Sequence, residues 1–291
     1  MYTLQNEHLL VKINPVGAEI ASIVSKENGK EYLWQADPDI WGSSAPVLFP
    51  IIGALKNGSF SYKNHPYQLP KHGIVRHNET MVDEEYSERT LRLSLKWDHL
   101  TFQKYPFHFI FDIRFEVKDN SLIVSHIVRN DGNEKMYFSL GGHPAFNCPM
   151  NEGEVYEDYY IEFEKEETVH TWNLNGDGLI ADQGAFVMDH SNILNLHSHL
   201  FDHDALILKD IASQSVSLKS RKSAYELRVD FEGFPYLGIW AKPQAPFVCI
   251  EPWQGIADSV DSSGLIEEKE GIMELEPQAK HEAQYVISIL G

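Results

Sequence analysis

Residues 108–117 read HFIFDIRFEV, and apolar side chains occupy every second position of this stretch. Alternation with a period of two places successive side chains on opposite faces of a β-strand. One face is wholly apolar and consists of Phe109, Phe111, Ile113, Phe115 and Val117. The other face carries four polar side chains beside one isoleucine. This stretch therefore predicts a half-buried strand with its aromatic face in a core.

The same alternation recurs along the chain. It is regular in residues 91–98 and 225–232, and less regular strand candidates lie at 8–13, 18–24, 121–129, 135–140, 158–164, 215–220, 236–241, 247–250 and 284–290. Helical periodicity is confined to short candidates at 99–105 and 197–202. No repeat or linker divides the chain. The predicted fold class is all-β, a large antiparallel β-sandwich in a single domain spanning 1–291.

The composition limits the partners of the protein. Among 291 residues, 43 acidic side chains outnumber 24 basic ones, which gives a formal net charge of −19. Such a surface repels nucleic acid and anionic membranes. The amino terminus lacks the basic and apolar regions of a signal peptide, and no stretch approaches the ~20 apolar residues of a membrane span. We therefore expect a cytoplasmic protein without nucleic-acid or membrane partners, and both a monomer and a homodimer remain open.

Motifs for metals and nucleotide cofactors are missing from the sequence. The two cysteines, Cys148 and Cys249, form no CxxC pair, and small buried thiols are favoured over a disulfide. A single HxH pair, at 197–199, has no glutamate downstream at the spacing of a cupin-type metal site. No GxGxxG motif follows a strand. The sequence predicts neither a metal nor a cofactor.

Four segments interrupt the strand pattern with ionisable residues beside turn formers. They are 70–77 (PKHGIVRH), 139–149 (SLGGHPAFNCP), 201–206 (FDHDAL) and 247–255 (FVCIEPWQG). In the last segment Glu251 ends an apolar run, and Pro252 is expected to stop ladder pairing there. Apolar surroundings would raise the pKa of Glu251 and make it a stronger base, whereas a surface ion pair is the alternative. His143, between Gly142 and Pro144, is either an acid–base group or a hydrogen-bonding turn residue.

Further residues of these segments are candidates for ligand binding, each with a plain structural alternative. His72 and Arg76 share the first segment, and the alternative for Arg76 is a surface ion pair. Asp204 is either a ligand or a loop carboxylate. Asn147 could bind a hydroxyl group, or could hydrogen-bond the local backbone. Trp253 either stacks on a ligand or fills the core.

Six segments in order resemble the aldose 1-epimerase (galactose mutarotase) family, most closely its LacX-like branch. They are 13–37 (INPVGAEIASIVSKENGKEYLWQAD), 48–58 (LFPIIGALKNG), 69–77 (LPKHGIVRH), 139–149 (SLGGHPAFNCP), 201–208 (FDHDALIL) and 250–259 (IEPWQGIADS). The resemblance implies a large β-sandwich and an isomerase that interconverts the α and β anomers of a free hexose. Its substrate would be a monosaccharide, opened and closed by acid–base chemistry without a metal or cofactor.

The resemblance also implies roles for individual residues. It makes His143 the general acid and Glu251 the general base. It makes His72 a second active-site histidine near the ring oxygen of the sugar. It makes Asp204 a carboxylate that binds a sugar hydroxyl.

One position departs from the family pattern. Many relatives carry an arginine directly after the glycine of the FPIIG-like segment, and this position is Ala54 here. The cation is either lost or supplied by Arg76 or Lys56. Two alternative functions stay open. One is an epimerase of hexose 6-phosphate, for which Lys56, Lys71 and Arg76 would supply positive charge, and the other is a non-catalytic carbohydrate-binding protein.

Overall fold

The computed structural model describes residues 1–291, which fold mainly into β-strands. The strands are β1 (Tyr2–Gln5), β2 (Leu9–Asn14), β3 (Glu19–Ser25), β4 (Val47–Leu48), β5 (Ser59–Tyr62), β6 (His65–Gln68), β7 (Val82–Tyr86), β8 (Thr90–Lys96), β9 (Phe109–Lys118), β10 (Ser121–Asn130), β11 (Met136–Phe138), β12 (Leu140–Gly142), β13 (Ala145–Asn147), β14 (Tyr159–Leu174), β15 (Ile180–Asn195), β16 (Leu206–Lys209), β17 (Ser215–Ser220), β18 (Glu226–Asp230), β19 (Tyr236–Trp240), β20 (Phe247–Gln254), β21 (Met273–Leu275) and β22 (Lys280–Ile289). One α-helix, α1 (His99–Lys104), joins β8 to β9. Short 3-10 segments lie at Val16–Ala18, Lys56–Gly58, Tyr156–Asp158 and Ile266–Glu268.

The strands form two main antiparallel sheets. The large sheet has nine strands in the order β15-β14-β17-β18-β22-β10-β9-β8-β7. The small sheet has six strands, with β16-β19-β20-β12-β4 in order and β13 also paired with β20. Three minor sheets, β1-β2-β3, β11-β21 and β5-β6, complete the strand pairing.

The aromatic face predicted for 108–117 lies in the core between the two main sheets. Its apolar residues are buried on β9. Phe111 stacks on Phe49, which directly follows β4 of the small sheet, with 4.5 Å between ring centroids. Tyr285 of the large sheet packs against Gly142 of the small sheet. Each buried aromatic side chain contributes roughly 1.5–3 kcal/mol to folding. The predicted antiparallel β-sandwich is confirmed.

The expectation that Pro252 stops ladder pairing is wrong. β20 continues to Gln254, and Pro252 lies opposite Leu237 of β19. The amide of Ile250, two residues earlier, donates to the carbonyl oxygen of Pro144 at 3.2 Å, so the nitrogen of Pro252 faces the same neighbouring chain. The missing donor thus falls between β12 and β13, where pairing with β20 is already interrupted.

The two helix predictions have different outcomes. Residues 99–104 form α1, and the carboxylate of Asp98 caps it by accepting from the amide of Thr101 at 2.7 Å. The helix predicted at 197–202 is wrong, because these residues form turns closed by hydrogen bonds between residues three apart. A segment this short gains too few hydrogen bonds to nucleate a helix without a cap. α1 has six residues and is the longest helix, so no helix of the structure is long and apolar enough to cross a bilayer.

The hairpin β14–β15 is longer than the sequence predicts. The sequence indicates a strand at 158–164 and none at 180–195, yet each strand has 16 residues. Register shifts recur along the pairing. Each irregularity breaks the period-two alternation by which a strand is recognised. The hairpin tip is tied to the segment after β20, where the amide of Ile180 donates to the carbonyl oxygen of Asp258 at 2.9 Å.

Candidate active site

A cavity of about 650 Å³ contains residues from all four polar segments of the sequence. Six of the eight predicted site residues line it: His72, Arg76, His143, Asp204, Glu251 and Trp253. Its volume lies within the ~300–1,000 Å³ range of small-molecule sites. The fold therefore brings chain segments that are distant in sequence to one ligand-sized space.

The strand register of the small sheet places His143 opposite Glu251. β12 pairs Gly141 with Trp253, and β13 pairs the residue four positions later with Cys249. The two pairings share one register, which runs on through the interruption between β12 and β13. Cross-strand neighbours on one face of a sheet lie roughly 4.5–5.5 Å apart at their Cβ atoms. The interruption therefore frees the backbone of His143 from pairing with β20 without moving its side chain away from Glu251.

His143 and Glu251 are in direct contact inside the cavity. Nε2 of His143 lies 3.2 Å from Oε2 of Glu251, and the side chains are 11% and 1% exposed. The orientation of this contact is not that of a hydrogen bond, which leaves Oε2 of Glu251 as a buried polar atom without a partner. Nδ1, the other ring nitrogen of His143, is also buried without a partner. Unpartnered buried polar atoms are costly, and a site can retain them when a ligand satisfies them.

The pKa values of the two groups are shifted in opposite directions. Burial lowers the pKa of His143 to about 3, and the positive charges of Arg76 and Lys71 act in the same direction. Burial raises the pKa of Glu251 well above its ordinary value, although Lys71 opposes this effect. Burial disfavours the charged form of both side chains, so the pair holds one proton over a wide pH range.

His72 is held as a neutral hydrogen-bond donor. Its Nδ1 accepts a hydrogen bond from the amide of Gly53 at 3.2 Å, so the ring hydrogen is on Nε2. Burial lowers the pKa of His72 well below the ordinary value, and the neighbouring His143 lowers it further. The two rings meet edge to face, with 5.7 Å between centroids. His72 can therefore donate to a ligand oxygen through Nε2 without carrying charge.

Arg76 and Asp204 supply opposite charges to the cavity wall. Arg76 is half-buried, its Nε has no hydrogen-bond partner, and the guanidinium forms no ion pair within the protein. Asp204 has a left-handed backbone with φ of 79°, and its carboxylate accepts from the amide of Ala205 at 2.8 Å. The remaining donors of Arg76 and acceptor sites of Asp204 are free to bind hydroxyl groups.

Tryptophan rings form the apolar part of the wall. Trp41 stacks beside His143, with 5.2 Å between ring centroids, and Trp240 meets Trp41 edge to face at 5.5 Å. Trp253 packs against Gly238 of β19, where a Cβ would come within 2.4 Å of its ring. Glycine is therefore required at 238 for Trp253 to reach the cavity.

Two predicted ligand residues do not reach the cavity. Asn147 donates from its side-chain amide to the carbonyl oxygens of Glu31 and Leu33, at 2.9 and 3.0 Å. Lys56 donates from Nζ to the carbonyl oxygen of Ser262 at 3.0 Å. Neither residue lines the cavity: both N–H donors of the Asn147 amide have backbone acceptors, and one of the three donors of the Lys56 ammonium has one.

The structure adds residues to the site that the sequence did not indicate. Trp41 lies in a loop without a recognisable motif, although an aromatic residue between turn formers was a weak signal. The tip of the β14–β15 hairpin, from Leu174 to Gly178, covers one side of the cavity. The sequence marks the tip as a turn. Its position over the cavity depends on the length of the hairpin, which the sequence does not indicate because bulges interrupt the alternation of both strands.

One group of side chains has potential metal-ligand atoms close together. Atoms of His143, Cys249 and Glu251 lie within 4.8 Å of one another. Both cysteines are free and buried, as the sequence favoured. Burial and the nearby Glu251 raise the pKa of Cys249 well above its ordinary value, so the thiol is not ready to act as a thiolate ligand. His199 of the HxH pair lies outside the group and contacts Asp202 on the surface.

Comparison with known proteins agrees with this fold and cavity. The sequence matches the family model "Aldose 1-epimerase" over residues 1–265. The plasmid form of protein LacX from Lactococcus lactis subsp. lactis is 37% identical over 299 residues, covering 99% of this chain and 98% of LacX. The chain belongs to the aldose 1-epimerase family.

Solved structures give the same result. A galactose mutarotase related enzyme from Lactobacillus acidophilus superimposes with a TM-score of 0.94 at 35% identity, covering 100% of this chain and 97% of the other. A galactose mutarotase-like protein from Lactobacillus casei gives a TM-score of 0.93 at 26% identity, with both chains fully covered. The predicted family resemblance, including its LacX-like character, is therefore confirmed.

Proposed function

We propose that this protein is an aldose 1-epimerase that interconverts the α and β anomers of a free hexose. The observation that carries the proposal is the contact between Nε2 of His143 and Oε2 of Glu251, 3.2 Å apart in a ligand-sized cavity. Two proton-exchanging groups so close together can act on the two oxygens bonded to one anomeric carbon. Membership of the aldose 1-epimerase family supports the same reaction.

Ring opening requires two proton transfers. Glu251 accepts the proton of the anomeric hydroxyl group, and His143 donates a proton to the ring oxygen. The bond between the anomeric carbon and the ring oxygen breaks, and its electron pair remains on that oxygen. The open-chain aldehyde then rotates about the adjacent carbon–carbon bond. Each acid or base group is typically worth ~10²–10⁴-fold in rate.

Ring closure reverses the two transfers on the other face of the aldehyde. His143 takes back the proton of the attacking hydroxyl group, and Glu251 returns its proton to the carbonyl oxygen. No proton is consumed and no redox change occurs. The opposite pKa shifts leave the pair with a single proton, which rests on Glu251 in the free protein and must lie on His143 when the ring opens.

The cavity wall suits a sugar ring. Sugars have an apolar ring face and a polar rim, and Trp41, Trp240 and Trp253 are available for the face. His72 donates to the ring oxygen or a neighbouring hydroxyl group through Nε2. Asp204 and Arg76 bind further hydroxyl groups, since neither has all of its hydrogen-bonding capacity satisfied within the protein.

Polarimetry tests the proposal. Freshly dissolved α-glucose and α-galactose, with and without protein, should reach anomeric equilibrium faster with protein than the spontaneous background allows. Sugar binding detected by calorimetry with no acceleration would contradict the enzyme and favour a binding protein. Exchange between anomers of glucose 6-phosphate, followed by NMR, tests the phosphorylated alternative. Incubation with a chelator should leave the rate unchanged, and a loss restored by zinc would overturn the metal-free mechanism.

A further inference from the structure

The cavity is lined by one lysine, Lys71, and one arginine, Arg76. Lys71 is exposed, and its ammonium group forms no ion pair or hydrogen bond within the protein. Gly178 marks its position, because a Cβ built there would lie 3.8 Å from Nζ of Lys71 and 3.6 Å from Cβ of Ala54. Lys71 and Gly178 line the cavity, and the Lys71 ammonium and the side chain of Ala54 both lie close to Gly178.

Ala54 is the position at which the family resemblance leads us to expect an arginine. The loop that carries Ala54 offers no other cation to the cavity, because Lys56 turns away and donates to Ser262. Arg76, four residues after His72, also lines the cavity but is half-buried, whereas Lys71 is exposed. Of the two cations that line the cavity, Lys71 is the one that shares a neighbour, Gly178, with the small side chain of Ala54.

We infer that Lys71 is a specificity-determining residue that binds a hydroxyl oxygen of the sugar and replaces the arginine missing at Ala54. This inference rests on the proposed epimerase function. The ammonium is also the charge that most favours the ionised form of Glu251 against its burial. A ligand held by Lys71 therefore lies within the electrostatic influence of the proposed base.

The replacement changes how the sugar is held. An arginine fork binds two oxygens in a fixed plane, whereas a lysine ammonium is a point charge on a flexible stem. The side chain of Ala54 carries no charge, so the Lys71 ammonium is the charged group near this part of the hairpin tip. Gly178, which lies near both residues, has φ of 75°, a backbone conformation that glycine adopts without strain.

A set of four variants tests the inference with the full-length protein and α-galactose. Lys71→Met should raise KM and lower kcat/KM about tenfold, the loss expected for one charge-assisted hydrogen bond. Lys71→Arg should remain within about threefold of wild type, because it keeps the charge. The double variant Lys71→Met with Ala54→Arg should recover most of the lost kcat/KM. Lys12→Met, which removes an exposed lysine of β2, should change nothing.

Three outcomes would overturn the inference while leaving the epimerase proposal intact. The first is unchanged KM and kcat in Lys71→Met, and the second is a loss that Ala54→Arg does not recover, because in either case Lys71 would not replace the arginine. The third, seen when glucose 6-phosphate is assayed beside galactose, is a loss confined to the phosphorylated sugar, which would assign Lys71 to a phosphate group. A wild-type protein without any mutarotase activity would instead contradict the proposed function itself.

Discussion

His126 and His143 are both buried histidines, and burial lowers the pKa of each to about 3. His126 lies on β10 in the large sheet, close to the rings of Phe111 and Tyr285. Neither of its ring nitrogens has a hydrogen-bond partner. His143 lies in the small sheet, opposite a carboxylate and on the wall of a cavity. Burial is the main reason that both rings are neutral, and His143 differs in having the cavity and Glu251 beside it, with which it can exchange a proton.

The largest expected effect separates the two sites. Glu251→Gln removes the base but keeps the shape of the side chain, so kcat for α-galactose should fall about 10³-fold while sugar binding is retained. His126→Leu is the matched control in the other sheet, and its kcat should stay within about twofold of wild type. Polarimetry gives both rates. A full rate in Glu251→Gln would make the assignment of the base wrong.

The pH dependence of activity should follow the coupled pair. As pH falls toward 3, a second proton binds to His143 and Glu251 can no longer accept one. As pH rises through the raised pKa of Glu251, the pair loses its single proton and has no acid. The profile of kcat/KM, corrected for spontaneous mutarotation, should therefore be bell-shaped with its acid limb far below pH 6.5. An acid limb near pH 6.5 would mean that His143 titrates like an exposed histidine.

The two main sheets meet beneath His143, and this contact should limit substitution. A Cβ on Gly142 would lie 2.6 Å from the hydroxyl oxygen of Tyr285 and 2.8 Å from its ring. Gly142→Ala should therefore destabilise the fold by about 3 kcal/mol and displace His143, which lowers activity as well. Gly42→Ala, where the nearest atom is 3.8 Å away, is the control and should change stability by less than about 0.5 kcal/mol. Urea denaturation followed by fluorescence measures both, and equal stability of the two variants would contradict the contact.

A smaller expected effect is the contribution of His126, which lies outside the cavity, to the pH dependence of folding stability. The pKa of His126 is about 3 in the folded protein and ~6.5 in the unfolded chain, so only the unfolded chain binds this proton between those values. The contribution of His126 to stability is thus present above pH 6.5 and is lost as pH falls toward 3. Between pH 6.5 and pH 5 this loss is about 2 kcal/mol. His126→Leu should lose that much less stability than wild type over the same interval in urea denaturation, and identical losses would show that His126 is protonated in the folded state.

The fold could be predicted from sequence wherever alternation is regular. The period-two pattern of 108–117 identified β9 because every odd residue faces the same core. The pattern failed for β15, because its pairing with β14 is bulged. The separate expectation that Pro252 ends the strand failed, because its missing donor falls where pairing between β20 and its neighbour is interrupted. The local sequence indicates the alternation within one strand. The bulges of β15 and the tolerance of Pro252 depend instead on how the neighbouring strand pairs with it.

The candidate site could be predicted in part for the same reason. His72, His143 and Glu251 lie in short segments where ionisable residues adjoin turn formers, and such segments are visible in one sequence. Trp41 and the hairpin tip were missed, because their place in the cavity depends on long-range packing. Asn147 and Lys56 were assigned to the site from segment membership alone, and their backbone partners appear only in three dimensions.

The central claim is that His143 and Glu251 act as one proton-exchanging unit. The most direct test is a double-mutant cycle with His143→Gln, Glu251→Gln and the double variant, using anomer exchange of galactose measured by NMR. Groups that act as a unit give strongly non-additive losses. We predict that the double variant is no slower than the slower single variant. A loss equal to the product of the two single losses would show independent groups and contradict this account.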